Sequence, residues 1–109
     1  PLAMGIKAAA ELAQKCAAQG KSPMIVILTD GRANIALDGT PDRARAMQNA
    51  HQMARLIAGS NVRSIVMDVG NRPNQALSHI ARDMLARYFA LPRADGLSIS
   101  NTVGAELDA

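Results

Sequence analysis

The run Met24-Ile-Val-Ile-Leu28 is apolar at every position. A surface helix shows apolar residues at steps of three and four, and a half-exposed strand shows them at every second residue. An unbroken aliphatic run rich in β-branched side chains is the pattern of a strand covered on both faces, as in a parallel sheet. Ser64-Ile-Val-Met-Asp-Val69 repeats the pattern with an apolar middle. Parallel strands cannot be joined by a tight turn. They need a crossover, usually a helix, so two such strands dictate what the rest of the chain does.

The remaining segments fit that demand. Leu2, Ile6, Ala9, Ala13 and Cys16 recur at steps of four and three, which is one face of a helix, and Gly20 is its natural stop. Cys16 falls on this inward face and reads as a small buried hydrophobe. Residues 33–39 read as loop. Thr40 then serves as N-cap of a second helix, with Pro41 at its first position and Asp42 near the positive end of its dipole. Met47, Ala50, Ala54 and Ile57 form its buried stripe, and Gly59 ends it. Arg43, Arg45, Gln48, Gln52 and Arg55 fall mostly on the other faces. Gly70-Asn71-Arg72-Pro73 is a turn into a third helix lined by Leu77, Ile80, Ala81 and Met84. Residues 87–91 form a short third strand that Pro92 closes, because proline cannot donate to a ladder. Asp95 caps a last helix with Leu97, Val103 and Leu107 as its contacts. The order helix, strand, helix, strand, helix, strand, helix predicts an α/β fold. It is a Rossmann-like parallel sheet with right-handed crossovers and helices on both faces.

Composition narrows the class. At 109 residues this is one domain or a piece of one. Such a chain can hide roughly two-thirds of its unfolded surface. Aromatics are only 2%, so the core must be built from Ala, Leu, Ile, Val and Met. The net charge of +3 comes from dispersed basic residues that read as solvated helix faces. With no aromatics interleaved, they argue against a nucleic-acid surface. One cysteine excludes an internal disulfide and fits a reducing, intracellular setting. No segment approaches the roughly 20 apolar residues of a membrane span. Residues 1–20 carry Lys7, Glu11 and Lys15 inside their apolar pattern, which is unlike a signal peptide. The chain opens without Met, on Pro1 in the first turn of a helix, as expected of a piece cut from something longer.

Functional groups in open parallel sheets gather outside the carboxyl ends of the strands. Asp30 stands there after the first strand, preceded by Thr29 and followed by Gly31, which permits a tight turn or close approach of a ligand. Asp68 ends the second strand, and Asn34 and Asp38 lie on the first loop. Three roles are open to Asp30. It can bind a hard metal, accept a phosphoryl group, or bond local N–H groups in a turn. Mg²⁺ takes six oxygens at about 2.0–2.1 Å and often keeps several waters, so one Asp alone is a poor site. A phosphoacceptor of the receiver type needs an acidic pair on an earlier strand and a late Lys. Here no acidic pair precedes Asp30, and the late strand offers Pro92-Arg93. A phosphatase of the haloacid dehalogenase type needs Asp-x-Asp, and Arg32 occupies the second acidic place. His51 and His79 lie in helical patterns with no metal-ligand spacing, and the isolated Gly5, Gly20 and Gly31 form no phosphate loop. No Ser-His-Asp or Cys-His set can be assembled.

Thr29-Asp-Gly-Arg-Ala-Asn34 after an apolar strand resembles the third metal motif of von Willebrand factor type A (integrin I-like) domains. More narrowly, the chain resembles the C-terminal end of such a domain in the D subunits of magnesium chelatases. The resemblance rests on Pro1-Leu-Ala at a helix head, Leu28-Thr-Asp-Gly-Arg-Ala-Asn34, Ala36-Leu-Asp-Gly39 and Tyr88-Phe-Ala-Leu-Pro-Arg-Ala-Asp95, and it covers nearly the whole of residues 1–109. Thr-Asp-Gly alone is common. In combination with the Leu-Pro-Arg-Ala-Asp stretch the signal is fairly specific.

The resemblance implies an adhesion-type Mg²⁺ site built from three loops. This chain has only the third. The Asp-x-Ser-x-Ser loop and its strand, and the Thr ahead of the position of Pro1, are absent. Asp30 is therefore the one metal residue that transfers, bound through a water, with Thr29, Gly31 and Arg32 flanking the acidic group of a partner. It also implies a platform without catalytic residues of its own. The implied partners are an ATP-hydrolysing AAA+ I subunit and a porphyrin-binding H subunit that insert Mg²⁺ into protoporphyrin IX for (bacterio)chlorophyll. The implied setting is the bacterial cytoplasm or the plastid stroma. A von Willebrand A-like domain of another AAA+ system is the nearest alternative. Without the motif-bearing strand, one edge of residues 24–29 lacks a ladder partner, which predicts self-association.

Overall fold

The computed structural model describes residues 2–30, 42–92 and 95–109. Four helices and three strands follow one another as α1 (Leu2–Ala18), β1 (Met24–Thr29), α2 (Arg43–Gly59), β2 (Arg63–Asp68), α3 (Gln75–Met84), β3 (Arg87–Ala90) and α4 (Gly96–Leu107). The strands form a parallel sheet in the order β1-β2-β3. In register, Ile25 stands beside Ser64, Ile27 beside Val66 and Thr29 beside Asp68, and Val66 in turn stands beside Tyr88. These residues point to one face, and α1, α2 and α3 cover it.

Helix α1 is Ala-rich, a composition that resists nothing in helix formation. It ends where Gly20 turns left-handed at φ 82°. The Gly20 amide donates to the Ala17 carbonyl (3.0 Å) and the Lys21 amide to that of Cys16 (3.1 Å), the two bonds of a Schellman stop. Helix α2 begins two residues later than its Pro suggests. Its N-cap is Asp42, whose carboxylate accepts from the Arg45 amide at 3.1 Å, while Thr40 and Pro41 lie outside the described residues. An Asp with extended backbone satisfies an orphan N–H directly, which is stronger than a remote dipole effect. Helix α3 is capped by Asn74 and closes on Leu85, a left-handed residue at φ 58° that is 80% exposed.

The core sits between the sheet and α1–α3. Ile6, Ile27, Ala50, Ala54, Ile57, Val66, Leu77, Ile80 and Met84 are among its buried members. All four residues expected to line α3 are buried. In α2 the stripe is Ala46, Ala50, Ala54 and Ile57, with Met47 half-buried at its edge. Cys16 is also half-buried, at the last turn of α1, where the helix runs past the core.

Helix α4 covers the opposite face. Asp95 caps it through a reciprocal pair with Ser98, whose amide donates to the Asp95 carboxylate at 2.8 Å and holds its pKa below the usual value. Near its other end Glu106 pairs with Arg87, and the Arg63 guanidinium donates to its carbonyl at 3.3 Å. Arg63 and Arg87 start β2 and β3 on this face, so α4 runs back along them. Ile65 and Met67 are accordingly buried. Of the contacts expected for α4, Val103 is half-buried, but Leu97 and Leu107 are exposed. Ile99 and Thr102 share the inward side with Val103 instead.

The cover stops short of β1. Its burial alternates, with Ile25 and Ile27 buried, Val26 37% exposed and Leu28 50% exposed. The expected burial on both faces holds for β2, whose last five residues are all buried, and not for β1. The reason is position: β2 lies between two strands and two layers, while β1 is the edge of the described sheet. Beside it, Ala9, Leu12, Ala13, Cys16, Pro23 and Met24 help line an open groove of about 310 Å³ between α1 and the strand.

Candidate functional site at the carboxyl end of the sheet

All three strands run the same way, so their carboxyl ends form one rim. Two hydrogen bonds extend the ladders past the strands. The Val69 amide donates to the Thr29 carbonyl (3.0 Å) and the Leu91 amide to the Asp68 carbonyl (2.8 Å). The first of these bonds holds the end of β1 beside the start of the turn that follows β2. Asp30, the first residue after β1, is exposed there, and Thr29 is half-buried beneath it. Gly31, Arg32, Asn34 and Asp38 lie outside the described residues.

The second strand-end carboxylate has a different character. Asp68 is 1% exposed and faces the helix side of the sheet. A buried carboxylate is tolerated only when donors surround it. Asp68 has three. Its Oδ1 accepts from the Gly70 amide at 3.0 Å, and its Oδ2 accepts from the Asn74 amide at 2.7 Å and the Tyr88 hydroxyl at 2.6 Å. Asn74 passes the order on, since its own side chain accepts from the amides of Ala76 and Leu77 at the start of α3. Burial pushes the Tyr88 hydroxyl up to about 12, helped by its hydrogen bond to Asp68 and the charge there. The phenol is thus a fixed donor at neutral pH.

Gly70 belongs to the same knot. A Cβ on it would lie 3.2 Å from Asp68 Oδ1 and 3.3 Å from the carbonyl oxygen of Asp30. Both are tighter than ordinary van der Waals contact. The turn after β2 is thereby pressed against the main chain of Asp30.

As chemistry, the described part of the rim presents the exposed carboxylate of Asp30 and the buried carboxylate of Asp68 with its three donors. Asp68 is turned away from solvent onto its three donors, which is a structural role. Among the described residues no three His, Cys, Asp or Glu side chains come together as a metal site. A carboxylate such as that of Asp30 could serve a hard, water-rich divalent cation as one ligand of an octahedral shell. His79 is exposed on α3, and His51 on α2 pairs through Nδ1 with Asp83 on α3 away from this rim. The histidine–aspartate pair, 32 residues apart, was invisible to spacing arguments, as was the partnership of Asp68 with Tyr88. Among the described residues no helix is long and apolar enough to cross a membrane.

No protein-family model matches the chain, and no solved structure matches it. Two curated proteins do. The chain is 43% identical over 107 residues, 98% of its length, to the magnesium-chelatase 60 kDa subunit of Cereibacter sphaeroides. It is 44% identical over 109 residues, 100% of its length, to the magnesium-chelatase 60 kDa subunit of Rhodobacter capsulatus. Each match takes up 19% of the relative, so the chain spans about a fifth of the length of the curated relatives it matches.

Proposed function

We propose that this chain is a docking segment of a D-type magnesium-chelatase subunit, the C-terminal part of a von Willebrand A-like domain. Asp30 would supply one ligand of a Mg²⁺ contact site. The observation that carries the reading is similarity at 43–44% identity through the whole chain to magnesium-chelatase 60 kDa subunits. The geometry supports the role of Asp30. It is an exposed carboxylate at the carboxyl end of the sheet, and among the described residues no three His, Cys, Asp or Glu side chains come together as a metal site.

On this reading the ion is a contact ion, distinct from the Mg²⁺ that the complex inserts into protoporphyrin IX. It supplies positive charge between Asp30 and an acidic group on a partner. The remaining oxygens come from water and from other parts of the subunit. Thr29, Gly31 and Arg32 flank the partner's group. The partners are the ATP-hydrolysing AAA+ I subunit and, through the assembled complex, the porphyrin-binding H subunit. The chain itself holds and orients, and bond-breaking chemistry belongs to the other subunits.

The test is Asp30→Ala in the complete subunit. Assembly with the I subunit is measured against Mg²⁺ concentration, alongside thermal melting. The expected result is loss of Mg²⁺-dependent assembly with melting unchanged, since a surface substitution costs less than about 0.5 kcal/mol. Assembly that keeps its Mg²⁺ dependence refutes the role of Asp30.

A further inference from the structure

We infer that the turn from Asp68 to Asn74 is the positioning element of the Asp30 corner, with Gly70 as the point of contact. The inference rests on the Mg²⁺-docking role of Asp30 proposed above.

Three links run from the buried core to the exposed carboxylate. The first is Asp68, whose Oδ2 is fixed by the Asn74 amide at the head of α3 and by the Tyr88 hydroxyl from β3. The second is the return bond from the Gly70 amide to Asp68 Oδ1, which closes the turn over its own strand. The third is the approach of Gly70 to the Asp30 carbonyl, so close that a methyl group would fall 3.3 Å from that oxygen. The end of β1 cannot retreat freely, because the Thr29 carbonyl is held by the Val69 amide. Asp68 cannot yield either, since its other oxygen already takes two donors. A side chain at position 70 therefore requires its neighbours to give by a few tenths of an ångström, and a shift taken up by the Asp30 peptide redirects the Asp30 carboxylate. The positioning is indirect: Asp68, Tyr88 and Gly70 act through where Asp30 stands.

The experiment uses the complete subunit. Gly70→Ala and Tyr88→Phe are compared with the parent and with Asp30→Ala. The readouts are the Mg²⁺ concentration at half-maximal assembly with the I subunit and the melting temperature. Gly70→Ala is expected to raise the half-maximal Mg²⁺ concentration roughly tenfold, the low end of what disturbing a ligand's outer support does. Tyr88→Phe, which adds no atoms, should raise it by a smaller factor. A purely structural turn would lower melting and leave the Mg²⁺ half-point where it was, and that result overturns the inference. Should Gly70→Ala not fold, Tyr88→Phe decides by the same criterion. If Asp30→Ala keeps its Mg²⁺ dependence, the docking role and this inference fall together. If Asp30→Ala loses it while both other variants keep the parent half-point, only the positioning inference falls.

Discussion

Asp68→Ala should be the most damaging single change at the rim, and its cost can be worked from its partners. The side chain is 1% exposed and takes three donors, the amides of Gly70 and Asn74 and the hydroxyl of Tyr88. Each stranded buried donor costs about 1–3 kcal/mol. Part of this is offset, because the substitution also removes the burden of keeping a carboxylate out of water. A net loss of about 2–4 kcal/mol is expected, a large share of the roughly 5–15 kcal/mol that stabilises a domain. Asp68→Asn should cost less. Its amide oxygen can face Asn74 and Tyr88, leaving only a donor-against-donor clash at Gly70. Tyr88→Phe removes one hydrogen bond to a charged group, about 1.5 kcal/mol. Urea unfolding of dilute 109-residue chain, followed by circular dichroism, gives the three values. The double variant Asp68→Ala/Tyr88→Phe closes a thermodynamic cycle. Because the two side chains touch, the cycle should show a coupling of about 1 kcal/mol or more. Additivity within about 0.3 kcal/mol, or an Asp68→Ala variant as stable as the parent, would refute the view of Asp68 as the anion that ties the rim together.

Other expectations follow from the same structure. The Tyr88 hydroxyl has its pKa raised from 10.0 to about 12, so the stability it contributes is complete below pH 10 and is lost as pH rises towards 12. Alkaline unfolding curves should show that loss in the parent and a flatter profile in Tyr88→Phe. Leu85 is left-handed and exposed, so Leu85→Gly should raise stability by about 0.5–1 kcal/mol, seen as a higher urea midpoint. Leu28 is half-exposed on the β1 edge, and Leu28→Lys should reduce self-association in sedimentation velocity without lowering the melting temperature. A dilute parent chain that is monomeric and melts cooperatively would contradict that expectation.

Much of the fold can be read from periodicity, and the exceptions share a cause. Leu77, Ile80, Ala81 and Met84 sit at helical steps among polar residues, so the inward face of α3 is unambiguous. The run at residues 24–28 is uniform, and a uniform run says that a segment is apolar without saying how many neighbours it has. The exposure of Val26 and Leu28 depends on where α4 stops, which no local pattern encodes. Helix α4 itself mixes Leu97 and Leu107 with Ser, Asn, Thr and Gly, and so little contrast cannot single out Ile99 and Val103 as its inward side. At the rim, Asp30 and Asp68 are alike in sequence, each an Asp closing an apolar strand. What separates them is Tyr88, 20 residues beyond Asp68, and the turn that brings Asn74 back onto it. Burial of one carboxylate and exposure of the other is a tertiary property. The distinction matters for function, because of these two a ligand in solvent can reach the exposed one and not the buried one.

The claim that Asp30 is one corner of a larger Mg²⁺ site is tested most directly by calorimetric titration of Mg²⁺ into two samples. One is the 109-residue chain, and the other is the complete subunit of which we propose it to be a part. A single carboxylate ligand predicts that the chain alone binds more weakly by about tenfold or more, equivalent to about 1.4 kcal/mol. It also predicts that Asp30→Ala removes the tight binding of the complete subunit. Equally tight binding by both samples would contradict the account, since the ligands would then all lie within this chain.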